Sequence, residues 1–382
     1  MTYPSLAPGW TAQQATAAGV PSVPQQVTSA AFDGGAVVYW NHPGDHLTAS
    51  YTATALIAGV AQPQTAVVNG SQRQAVITGL TNSTAYTFTV HAANSFGSSP
   101  ESPQSGANTP LANLIFGDDF GGSVLSPCWR TVARDGDQSA PETQFWLPSQ
   151  VTLDGSSHVL LTAAASSYTA PTYNDANPPL YAGGAVVTRA NISGMIQWAW
   201  PGALATGSGS AQAVSQFGAP GFNFTYGKIQ VSAQVPNVSG GWAAVWMLGA
   251  QCEQTTLYNP DNVGTCNWPS TGSEEIDIAE YTGAGSPTTY TWTGNFNGGA
   301  VAGPTSTPVT NPSTTFNTYE ADWSSGTISW FTNGVAVSGT QPYSNAAVPA
   351  TPMFLILANA MRGAVTLTQP VLSVDWVRVF HN

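Results

Sequence analysis

The sequence predicts an all-β protein built as two successive antiparallel sandwiches, and three observations carry that prediction. Short segments alternate apolar and polar residues along most of the chain, the period of two that half-buried strands require. Turn formers interrupt them throughout, with 39 Gly and 28 Pro among 382 residues. No long stretch repeats apolar residues at helical spacing, and neither usual glycine fingerprint of a nucleotide-binding fold occurs.

Residues 1–20 are rich in Ala, Thr, Gln and Pro and read as a leader or linker. From 21 to 109 come short alternating segments, "QQVTSAAF", "GAVVYWN", "ASYTATALIA", "QAVITGL" and "AYTFTVHAAN", separated by Gly, Asn and Pro. That is the spacing of a small sandwich. Trp40 closes one strand before "NHPG", and Tyr86 opens another after "GLTNSTA". The pattern resembles a fibronectin type III domain, which implies Trp40 as core aromatic and Tyr86 as the tyrosine of the E–F corner. Such a module serves as a passive spacer or as a carbohydrate-binding attachment, with the spacer as the default. "SSPESPQSGANTPLAN" reads as a Pro/Ser/Gly-rich hinge and puts the domain boundary near Pro110. Residues 110–382 then form one large sandwich, with "KIQVSAQVP", "TISWFTNGVAV", "MFLILANA" and "LSVDWVRVF" as strands and 202–219 as an inserted Gly/Ser loop.

Seven Lys and Arg against a net charge of −12 argue against a nucleic-acid partner or an anionic membrane surface. A neutral ligand and a monomeric protein are expected. No apolar run reaches membrane-spanning length. Met1 leads into "TYPSLAPGW", which does not read as a signal peptide, so export would have used a leader already removed. Of the three cysteines, Cys252 and Cys266 bracket a short loop that a disulfide is expected to close, leaving Cys128 as a buried free thiol. That pairing, with the composition, makes a secreted protein the expectation.

The sharpest local signal is "SEEIDIAE" at 273–280, four acids in a chain with only 7% charged residues. On a strand, Glu275 and Asp277 share one face while Ile276 and Ile278 take the other. The isoleucines want the core, so the acids face an open surface. Glu280 has the wrong parity, and a single β-bulge near Ile278–Ala279 would turn it back beside the other two. Glu274 has the parity of the isoleucines and is the passenger. Two glutamates held on one face suit a retaining glycosidase, in which one attacks and the other donates a proton. On the physics alone an acidic solvated strand or a calcium site stays open, but the charge-poor context and the apolar alternation favour chemistry.

"EIDIAE" fits the Glu-x-Asp-x-x-Glu signature of glycoside hydrolase family 16, in the bulge-containing form of its laminarinase-like, endo-β-1,3-glucanase branch. "FGDDF", "YGKIQVSAQVPNVSGGWAAVWMLG", "NWPSTGSEEIDIAEY", "FNTYEADWSSGTISWFTNG", "PMFLILANAMRG" and "VDWVRVF" resemble further family motifs in the family's order across about residues 113–380. The resemblance implies a concanavalin A-like β-jelly-roll sandwich with the acids on the concave face. Carried over residue by residue, it implies Glu275 as nucleophile, Asp277 as its assisting partner and Glu280 as acid/base, working by double displacement. It implies no cofactor for catalysis, and a structural calcium at Asp119 and Asp375.

Sugar rings stack C–H faces on indoles, so cleft tryptophans are expected, although most Trp in such a domain pack the core. Trp242, Trp246 and Trp268 stand at motif positions flanking the acid strand, and Trp198 and Trp200 belong to the inserted region. Two departures weaken the assignment to β-1,3-glucan. Ala185 takes the place of a sugar-contacting arginine, for which Arg189 would substitute in a shifted register. No histidine lies between His158 and His381, and Tyr290 and Trp292 stand where the neighbouring strand would carry one. The expected activity is endo-hydrolysis of a neutral polysaccharide, β-1,3-glucan first. A β-galactan, another β-glycan or transglycosylation stands second, and a glucan-binding protein without turnover third.

Overall fold

The computed structural model describes residues 19–42, 47–131, 144–165, 191–198, 223–236, 238, 240–250, 274–282, 289–296, 299–301, 307–337, 339, 342–361 and 370–382. The chain divides into two compact units, Met1–Ala112 and Asn113–Asn382. Among the described residues none is in an α-helix, and no helix is long and apolar enough to cross a membrane.

The first unit is a sandwich. One sheet runs β1 (Gln25–Phe32), β2 (Gly35–Asn41) and β5 (Gln74–Thr78). The other runs β4 (Val60–Asn69), β3 (Ser50–Ile57), β6 (Thr87–Asn94) and β7 (Gly97–Ser98). The inward residues of both sheets, Val38, Trp40, Tyr51, Ile77, Phe88 and Val90 among them, form one core, with the Trp40 and Tyr51 rings 5.1 Å apart. Tyr86 is buried, and its hydroxyl accepts a hydrogen bond from the Thr81 amide at 3.0 Å, which is the corner expected of it. Between β3 and β4 the turn residues Ala58 and Gly59 have φ of 48° and 79°, the doubly positive conformation that matches the twist of a hairpin.

The Ser/Pro run expected to be a hinge is instead fastened to β6. Ser99, Ser102, Ser105 and Asn108 recur every third residue, the period of a polyproline II helix. Their amides donate to the carbonyls of Ala92, Val90, Phe88 and Tyr86 at 2.8–3.0 Å. In return the Ala92, Val90 and Phe88 amides donate to the hydroxyls of Ser99, Ser102 and Ser105 at 2.9–3.0 Å. Each hydroxyl then donates to the carbonyl one residue on, Pro100, Pro103 or Gly106. A chain too rich in proline to pair as a strand thus closes the sheet edge through serine side chains. Ser102→Ala is expected to destabilise this unit by about 1–3 kcal/mol, because the Val90 amide loses a buried acceptor. Denaturant unfolding of the full chain measures it.

The second unit is a larger sandwich. Its first sheet runs from β17 (Thr327–Thr332) through β16 (Asn317–Ser324), β12 (Gly227–Gln234) and β19 (Val371–Phe380) to β8 (Leu114–Asp118), with β10 (Val159–Thr162) also paired to β19. Its second sheet runs β15 (Thr289–Phe296), β14 (Glu275–Thr282), β13 (Gly241–Gly249), β18 (Met353–Met361), β11 (Met195–Trp198) and β9 (Trp129–Thr131). Trp323, Trp330, Tyr319, Phe224 and Phe354 are the large, fully buried side chains between them. The glycine of "YGK" has a reason in the backbone. Gly227 has φ of 148°, and a Cβ there would lie 2.6 Å from the Phe380 carbonyl oxygen.

In "FGDDF", strand parity separates the two aspartates. Asp118 turns inward and accepts from the Phe120 amide and from Trp129 Nε1, both at 2.8 Å, and burial pushes its pKa up to about 7. Cys128 is the expected buried free thiol, hydrogen-bonded to Ser126 at 3.2 Å, and its pKa is raised by burial and by Asp118.

Candidate functional site

Strand β14 carries the acids, and its register with both neighbours shows how. Against β13, Glu275 stands opposite Leu248, Asp277 opposite Trp246 and Glu280 opposite Ala244, while Ala279 meets Val245 and Ile278 is the extra residue. Against β15, Asp277 meets Thr293 and Glu280 meets Thr291, so three steps on β14 match two on its partner. This is the expected bulge at Ile278–Ala279. Leu248, Trp246 and Ala244 share one face of β13, so the three acids share one face of β14. Ile276 and Ile278, at 0% and 1% exposure, fill the core behind them.

Positions four apart on a strand are separated by about 13 Å, so two glutamate side chains can lean toward each other above the residue between them. Asp277 is that residue. Burial, then the charges of Glu275 and Glu280, hold its pKa well above the usual carboxylate range, and it shares a hydrogen bond with Glu275. Burial and those charges favour the protonated form of Asp277, which donates toward the Glu275 carboxylate. That bond orients the Glu275 carboxyl group, as a nucleophile needs.

Glu280 is held from the other side, where Trp242 Nε1 donates to its Oε1 at 2.7 Å. The sequence reading offered Trp242 as a sugar platform, and the structure adds this bond to an acid. Trp246, opposite Asp277 on the same face, is half-buried. Glu274 lies outside the group, its carboxylate accepting from the Thr351 hydroxyl.

Two bonds from the facing sheet reach β14. Trp330 Nε1 donates to the Asp277 carbonyl oxygen at 3.0 Å, and the Tyr281 and Tyr319 hydroxyls lie 2.9 Å apart. A buried carbonyl without a donor would cost about 1–3 kcal/mol. Sequence reasoning missed both, because partners 53 and 38 positions away leave no local signal.

Trp268, Trp200, Arg189, Ala185, the Cys252–Cys266 loop and the 202–219 insertion lie outside the described residues, as do the side chains of Trp198, Tyr290 and Trp292. On β15 the positions opposite Glu280, Asp277 and Glu275 are Thr291, Thr293 and Asn295, so Tyr290 and Trp292 take intervening register positions. An arginine does occupy the acid-bearing sheet. Arg130 shares a row with Asp277, Trp246, Ile356 and Gln197, four strands away and so about 19 Å across the sheet.

Asp119 is ion-paired with Arg378 at 3.2 Å, and Asp375 accepts from the Ser232 hydroxyl at 3.3 Å. Calcium takes several oxygen ligands at once, and one oxygen of Asp119 is already paired with Arg378. Among the described residues no three His, Cys, Asp or Glu side chains cluster as a metal group.

The protonated aspartates have a consequence for stability. Below the unfolded pKa near 3.8, Asp118 and Asp277 are neutral in both states. As pH rises, the unfolded chain releases these protons while the fold retains them, so stability falls until the folded pKa is passed. For Asp118 that window closes near pH 7. Asp118→Asn is expected to flatten the decline between about pH 4 and 7, and Asp277→Asn the decline that begins at the same lower limit. Melting temperature against pH for the three proteins checks it.

Comparison with known proteins finds a family match in each unit. The family model described as glycosyl hydrolases family 16 matches residues 207–378, and that of the fibronectin type III domain matches 22–107. A keratan-sulfate endo-1,4-beta-galactosidase of Sphingobacterium multivorum is 32% identical over 179 residues, 42% of this chain and 37% of that protein. A beta-glucanase of Rhodothermus marinus is 31% identical over 120 residues, 28% of this chain and 35% of that protein. The chain thus spans little more than a third of the length of these curated relatives. Among solved structures, LamAcat from Zobellia galactanivorans superposes with a TM-score of 0.53 at 21% identity, covering 71% of this chain and 98% of that one. A LamA variant from the same organism, in complex with laminaritriose and laminaritetraose, gives 0.52 at 20% identity, covering 71% and 99%. At these identities the likeness is one of fold.

Proposed function

We propose that the chain is a retaining endo-glycosidase of family 16, a reading supported by the match of residues 207–378 to that family's model, with 22–107 matching the fibronectin type III domain. Its substrate is a neutral polysaccharide, β-1,3-glucan of the laminarin type first. The observation that carries this reading is the bulge at Ile278–Ala279, which puts Glu280 on the same face as Glu275 and Asp277. Glu275 attacks the anomeric carbon while the Asp277 proton remains hydrogen-bonded to it, and Glu280 protonates the departing glycosidic oxygen. Glu280 then takes a proton from a water whose oxygen bonds to the anomeric carbon as the bond to Glu275 breaks, so the configuration is retained. The bond from Trp242 orients Glu280 through its Oε1.

A second reading, action on a β-galactan, is supported by the longer of the two curated matches, which is to a galactosidase. The test is to incubate the protein and its Glu275→Gln variant with laminarin, lichenan, xyloglucan, agarose and keratan sulfate, and to size the products. Laminarin cut to a ladder of oligosaccharides by the wild type alone supports the first reading. Cleavage confined to a galactan moves the assignment to the second. Retention of a glycan with no cleavage of any would make the protein a binder.

A further inference from the structure

The bulge interrupts the ladder and leaves its extra residue unpaired, so contacts from outside the ladder bear on its place. Removing it would flip every residue after Ile278 to the opposite face, putting Glu280 into the core and Tyr281 into the cleft. The two cross-sandwich bonds bracket that point. On one side, the Asp277 carbonyl meets the indole N–H of Trp330, a side chain at 0% exposure on β17 of the facing sheet. On the other side, Tyr281 is buried, and its hydroxyl meets that of Tyr319, also at 0% exposure, on β16. Only Ile278, Ala279 and Glu280 lie between the clamped positions, and Glu280 leaves this segment bonded to Trp242.

We propose that Trp330 and Tyr319 are positioning residues for the acid/base: from the opposite sheet they clamp the bulge so that Glu280 projects beside Glu275. Neither touches substrate, and both act through the backbone of β14. Their role differs from that of Trp323, an equally buried tryptophan whose Nε1 donates instead to the Pro349 carbonyl at 3.0 Å. The inference rests on the reading of Glu280 as the acid/base, but its geometric content can be tested without substrate.

The test uses the full chain with ¹⁵N-labelled indoles, the Trp242 signal being assigned by its loss in Trp242→Phe. In Trp330→Phe the Trp242 indole signal is expected to move toward its position in Glu280→Ala, and in Trp323→Phe it is expected to stay. Tyr319→Phe, which removes a single oxygen and keeps the ring, is expected to move it in the same direction. An unmoved Trp242 signal in Trp330→Phe and Tyr319→Phe, or an equal shift in Trp323→Phe, overturns the proposal. Kinetics add a second readout on laminarin and on a dinitrophenyl β-laminarioside, whose leaving group needs no proton. Trp330→Phe should lower kcat/KM on laminarin by roughly 100-fold and leave the activated substrate nearly unchanged. Equal losses on both substrates contradict the clamp. A wild type that cleaves neither substrate sinks the proposed activity, while the indole signals still decide the clamp.

Discussion

Glu275→Gln is expected to lower kcat on the preferred glycan by roughly 10⁵-fold or more, with the fold intact. The magnitude follows from the role: without the carboxylate no glycosyl-enzyme forms, and what remains is binding and acid catalysis alone. Asp277 sharpens the expectation. Its proton is held by burial and by the charges of its neighbours, Glu275 first. With glutamine at 275 one of those charges disappears, so Asp277 becomes easier to ionise in the variant. Saturation kinetics with single-turnover controls measure the loss. A variant retaining a tenth of the activity would remove Glu275 from the chemistry.

Glu280→Ala comes second, with an expected loss of about 10²–10⁴ in kcat on an unactivated glycan. The loss should depend on the leaving group, since a dinitrophenolate departs without a proton. With that substrate the first step survives, the glycosyl-enzyme accumulates, and added azide should speed turnover by attacking it without base assistance. The product expected is the β-glycosyl azide, identified by NMR. Absence of azide rescue together with equal loss on good and poor leaving groups would place the acid/base elsewhere.

How much of this was legible in the sequence differs by kind of contact. Strand alternation in "EEIDIAE" separates the isoleucines from the acids, and the odd spacing of Glu280 already demands the bulge seen between Asp277 and Glu280. The resemblance to a fibronectin type III domain likewise implies the places that Trp40 and Tyr86 take in the first core. Local period was less informative where the backbone leaves the strand geometry. The Ser/Pro run looks like a hinge by composition, yet its serines at every third position form a polyproline edge fastened to β6. The period was there to be read, but three is not two. Contacts across the sandwich were not legible at all. Alternation says that Trp330 and Tyr319 point inward, and the identity of what they meet depends on how two sheets stack.

The bulged strand as a double-displacement site is the central claim, and trapping the intermediate tests it most directly. A 2-fluoro-β-laminarioside with a dinitrophenyl leaving group forms the glycosyl-enzyme quickly and hydrolyses it slowly, so the full chain should gain one sugar mass. Peptide mapping should then place the label on Glu275, with none in Glu275→Gln. A label on Asp277 or Glu280, or turnover of the parent glycoside with inverted anomer and no label, would contradict it.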